Sequence, residues 1–203
     1  MKNTFADLIA SGFSSDTPHL NQLPADDPRV GTITEMSDAF TDGVEILRHR
    51  FPNPRINTLM KMVWDLVGGH VVPVVHGMPV KVLSIGVVVT PGGELQARIF
   101  MPDDYLEMVT KDPFYQLGGL VYIGSQAVDF WNGKITRSQP DGGVFRRAHA
   151  YEAEFLHSLA KETPWWHPNK WQKRAMKDFP KGLDSPGVHL YEYKRVPPSE
   201  PVA

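Results

Sequence analysis

The pair His149 and Glu152 stands one helical turn apart, and a run of cations at Lys170, Lys173, Arg174 and Lys177 follows Trp165 and Trp166. These are the two groupings in the sequence able to do chemistry. An imidazole beside a carboxylate can hold or move a proton, and it can also fix how a helix docks. At about 100° per residue, Phe145, Ala148, Phe155, Leu156 and Leu159 mark an apolar arc. Glu152 falls in the middle of that arc and His149 at its edge. The wheel therefore predicts a buried polar pair, with Arg146 or Arg147 nearby, because a buried carboxylate needs a partner or must become neutral. Its expected role is in helix docking; catalysis would require both side chains to open on a cavity.

Lys170, Lys173, Arg174 and Lys177 share an arc of about 100° on a short helix, with Trp171, Ala175 and Phe179 on another side and Trp165 and Trp166 just before it. A basic stripe beside aromatic rings suits an acidic protein segment, or a phosphate backbone whose bases stack on the rings. It equally suits a solvated lysine face with tryptophan in the core.

Other patterns lead away from enzymes and cofactors. Glu154-x-x-His157 has the spacing of a di-iron bundle ligand pair, yet the wheel turns Glu154 nearly opposite the apolar arc and no second copy exists, which predicts a solvated polar face. Gly119 to Gly124 has phosphate-loop spacing, but Ser125-Gln126 replaces the required Lys-Ser/Thr. No nucleophile elbow, zincin or EF-hand pattern occurs. His70 and His76 are an even number of residues apart, with Pro73 between them, and no further ligand is clustered with them. No catalytic residue, metal or cofactor is assigned.

The 203 residues contain no cysteine, which excludes disulfides, thiolate metal sites and a cysteine nucleophile. Charge is nearly balanced at −2 overall but unevenly placed. Residues 1–45 carry eight acids against two bases, and residues 161–181 carry six bases against two acids. No apolar run approaches the roughly 20 residues of a spanning helix, and Asp7 interrupts any signal-peptide core. A soluble chain, intracellular or held within an assembled particle and without a membrane partner, is the expectation.

The elements that must position these groups follow from periodicity and turn chemistry. Residues 3–12 suit a short helix with Phe5, Leu8 and Ile9 on one face, too short to stand alone. Residues 14–31 read as an extended connector. Thr32 to Glu35 has capping-box spacing and opens a helix to about Arg50. Asn53-Pro54 caps a second helix that ends at Gly68-Gly69. Residues 71–75, 80–90 and 94–101 are β-rich, and short glycine-containing connections predict an antiparallel meander with its first strand, which holds Pro73, at an edge. A short helix capped by Asp103 or Asp104 runs through Val109. Gly118 to Gly124 reads as a strand or a break between helical pieces. Helices follow at 145–163 and from near Pro168 to Phe179, then a last strand at 188–196 and a proline-bearing tail.

The resulting fold class is α+β: a small antiparallel sheet (70–101 plus 188–196), several helices, and extended N- and C-terminal arms. The organisation is an arm over 1–31, one body over 32–179, and a last strand with tail over 180–203. Opposed charge, arms and missing catalytic motifs together suggest a non-enzymatic assembly subunit whose partners are other protein subunits, itself or different ones; a virion or phage particle component is the preferred example. The alternatives are a nucleic-acid-associated accessory protein using the basic helix 168–179, and an enzyme with a scattered acid–base site at His149 and Glu152.

Overall fold

A computed structural model describes residues 28–69, 71–76, 80–89, 93–133 and 142–192. The fold is α+β, with six α-helices among the described residues and one three-stranded sheet. Helix α1 (Pro28–Glu45) continues into five residues of π-helix, Ile46–Arg50. Met36, Phe40, Val44 and Leu47 recur every three or four residues and form its buried stripe. The chain is already helical at Pro28, where the described residues begin, four residues before the expected Thr32 cap. The predicted helix at 3–12 lies outside the described residues.

Helix α2 (Pro54–Gly68) begins as its sequence predicts. Asn53 caps it by accepting from the N–H groups of Arg55 and Ile56 at 3.0 and 3.2 Å. Ile56, Leu59, Met60, Val63, Leu66 and Val67 are all buried.

The sheet departs from the expected meander. Strands β1 (Val74–His76), β2 (Ser84–Val89) and β3 (Leu95–Met101) lie in the order β1-β3-β2, with β3 central. β2 pairs antiparallel to β3, but β1 pairs parallel to it, Val74 opposite Ile99. The sheet is therefore mixed. On central β3 the alternate residues Ala97, Ile99 and Met101 are buried, while no residue of β2 is. Pro73 stands just ahead of edge strand β1; its carbonyl accepts from the Ile99 N–H, and its lack of an N–H costs the sheet nothing.

After helix α3 (Tyr105–Lys111), the segment read as a strand or break is instead the middle of α4 (Pro113–Trp131). Of the glycines that obscure this helix in the sequence, Gly124 is there for contact, as is Gly43 of α1 facing it. A Cβ on Gly124 would lie 2.7 Å from Val63 Cγ2 of α2, and one on Gly43 would lie 2.6 Å from Leu120 Cδ1. Without side chains, α1 and α2 approach α4 closely, which outweighs the cost of glycine in a helix.

Helix α5 (Gly142–Glu162) packs along α4, and the short α6 (Lys170–Asp178) packs on α5. Residues 188–192 are not a strand, contrary to expectation, and 193–196 lie outside the described residues. Tyr191 explains the difference. Its ring stacks on Tyr151 with centroids 5.1 Å apart, its N–H donates to Tyr151 Oη at 3.2 Å, and its hydroxyl donates to the Ser125 carbonyl at 2.8 Å. The Tyr191 backbone N–H and hydroxyl thus find partners on α5 and α4 in place of a sheet. As far as residue 192, the C-terminal segment is a strap on the body rather than a free arm.

Candidate functional site

Helix α5 carries polar groups on three sides, each in a different environment. On the side facing α6, His149 Nδ1 lies 3.3 Å from Glu152 Oε2. The His149 side chain is 49% exposed and that of Glu152 19%, so the pair stands at the wall of a groove and is not buried as the wheel suggests. Phe145, assigned to the buried arc, is 41% exposed. The arc is rotated toward Arg147, Ala150, Tyr151 and Ala153. Small alanines there let α4 approach, a contribution that a count of large apolar residues misses.

Neither neighbouring arginine joins His149 and Glu152. Arg146 donates to the Pro186 carbonyl at 3.1 Å and lies over the Phe179 ring. Arg147 points to the opposite side and makes a buried ion pair with Asp129 of α4. Arg147 also lies over the Tyr191 ring, 5.3 Å from its centroid. Burial pushes the Tyr191 phenol well above its ordinary value, with Asp129 adding to the effect; burial also pushes Tyr151 up to about 12.

The third side holds Glu154, which the wheel assigns to a solvated face. It is 17% exposed and works as a structural hub. It accepts from Asn53 Nδ2 at 2.9 Å and from the Leu183 N–H at 3.2 Å. The Asn53 amide also donates to Ser158 Oγ at 2.8 Å, tying the α2 cap to α5. Gly182, at φ 51°, comes so close to Glu154 that a Cβ would collide with it. His157 Nε2 is 3.0 Å from the Phe179 carbonyl.

Two adjoining hollows share Tyr115, His149 and Glu152 as lining. One, of about 270 Å³, lies toward Val82, Leu83 and Tyr122. The other, of about 390 Å³, lies toward Trp171, Arg174 and Asp178 of α6. The Tyr122 ring is 4.8 Å from the His149 ring, centroid to centroid. Burial, then the Glu152 charge, raises the ionisation of both Tyr115 and Tyr122 above the ordinary phenol range. Sequence reading missed both tyrosines. They are seven residues apart and so share a face of α4, a relation hidden while Gly118 to Gly124 is read as a break.

The basic helix forms as predicted in outline. Asn169 and Gln172 make a reciprocal capping box. Lys170, Lys173 and Lys177 are exposed, and Arg174 reaches Asp178 at 3.6 Å. The tryptophans divide differently from expectation. Trp165 and Trp171 are 72% and 66% exposed, while Trp166 is buried edge-on to Phe114. Ala175 and Phe179 are buried, but Trp171 is turned out of that side to line the groove. Trp166 therefore offers no stacking surface.

His70 and the side chain of His76 lie outside the described residues. Among the described residues, no three His, Asp or Glu side chains gather as a metal site, and no helix is long and apolar enough to cross a membrane. No family model, curated protein or solved structure matches this chain.

Proposed function

We propose that this chain is a non-enzymatic subunit of a multi-chain assembly, of the kind that builds a virus or phage particle, and that α6 is its contact helix. The exposure of Trp165 and Trp171 amid four cations carries this reading. Large aromatic side chains are costly to leave in water, and tryptophan with cations makes a strong anchor for an acidic, partly apolar partner. Among the described residues only Arg174 of the four cations has an ion-pair partner.

The partner is the leading segment of a neighbouring copy. Residues 1–27 hold Asp7, Asp16, Asp26 and Asp27 against Lys2, together with Phe5, Leu8, Ile9 and Phe13. That composition complements α6 in both charge and apolar content, and complementary charge orients association. Light scattering at low and high salt tests the proposal on the full chain, on a chain lacking residues 1–27, and on a Lys173→Glu/Lys177→Glu variant. Assembly at low salt that both changes abolish is expected. A strict monomer at both salts overturns it.

The exposed pair Trp165 and Trp171 also favours a second reading, in which α6 tracks a single-stranded nucleic acid. Its signature is an affinity whose logarithm falls linearly with the logarithm of salt concentration, with a slope that neutralising two lysines reduces by about two phosphate contacts.

A further inference from the structure

We infer that the groove between α4, α5 and α6 binds a primary alkylammonium group, with Glu152 as its counter-ion. The charge layout carries this. Every arginine near the groove is already engaged: Arg174 with Asp178, Arg146 with the Pro186 carbonyl, and Arg147 with Asp129. Glu152 is left with the His149 imidazole as its ion-pair partner among the described residues. A partly exposed carboxylate whose partner is an imidazole gains from a cation at hydrogen-bond distance.

The walls supply the rest of the chemistry. Tyr115, Tyr122 and Trp171 present π-systems, whose electron-rich faces attract cations. Val82 and Leu83 close the smaller hollow and suit a short alkyl tail. Of the charged side chains lining the two hollows, the carboxylates Glu152 and Asp178 outnumber the cation Arg174. Hollows of this size suit a small molecule rather than a protein surface. The site goes beyond the assembly role, and its readout is separate from oligomer mass.

Nuclear magnetic resonance of the isotope-labelled full chain, titrated with butylammonium chloride, tests the inference. Saturable shifts at Tyr122, His149 and the Glu152 carboxylate are expected, with a Kd on the order of 1 mM. Glu152→Gln, which keeps the side-chain shape, is expected to weaken binding by about tenfold or more. A short lysine-containing peptide distinguishes the source of the group. Equal affinity assigns the site to free amines, and much tighter binding assigns it to a lysine side chain; both support ammonium recognition. The absence of saturable shifts in the wild type, unchanged affinity in Glu152→Gln, or stronger binding of butyrate would each overturn it.

Discussion

Arg147 and His149 are two residues apart on α5, each beside a carboxylate, and they meet opposite fates. Two residues turn a helix by about 200°, so one pair faces α4 and the other faces the groove. Asp129 is fully buried, and Tyr191 lies across Arg147. The His149–Glu152 pair has open space on both sides. The residue types are similar, but burial makes one pair a fastener and leaves the other free to meet a ligand. A polar pair on a helix is thus defined by the element covering it, not by its spacing.

The contrast predicts unequal costs. Asp129→Ala leaves Arg147 buried without its partner, and destabilisation by about 3–5 kcal/mol is expected in urea unfolding. A loss below about 1 kcal/mol would place that pair with the surface ones. The closed side also depends on how near α2 lies to α4. Gly124→Ala is expected to cost about 1–3 kcal/mol by overpacking against Val63, whereas Gly119→Ala, with nothing within 4 Å of the new Cβ, should be neutral or stabilising.

Alkaline pH acts on both sides of α5, and more strongly on the closed one than on the groove tyrosines. Tyr151 and Tyr191 ionise higher in the folded chain than the unfolded value of about 10. The native state therefore holds these protons longer. The stabilisation is full below about pH 10 and is lost as pH rises from there through the folded values, at about 1.4 kcal/mol per pH unit for each tyrosine. Tyr191→Phe is expected to flatten that slope by one tyrosine's share. The smallest effect is that of Glu152→Ala, under about 1 kcal/mol, since its partner His149 is half exposed.

The helices were largely legible in the sequence. Asn53 with Pro54 is a local signal that acts over one turn, and the structure uses it; the start expected near Pro168 falls at Lys170, behind the Asn169 cap. What escaped depends on distant partners. Gly118, Gly119 and Gly124 disfavour a helix locally, but Gly124 permits contact with Val63 more than sixty residues earlier. The parallel pairing of β1 with β3 joins residues some twenty-five apart, beyond the reach of the turns that suggest a meander. Tyr191 gives up a strand because Tyr151 and Ser125 are waiting for it on two helices. For the site, the basic stripe and the 149–152 spacing could be read directly. The aromatic walls, the depth of Glu152 and the outward turn of Trp171 required the packing of α4 and α6.

Butylammonium titration, followed at both pairs in one labelled sample, tests the division of α5 most directly. The His149 ring and Glu152 carboxylate should shift and saturate together while Arg147 Nε and the Asp129 carboxylate stay fixed. Shifts of equal size at both pairs, or at neither, would contradict it.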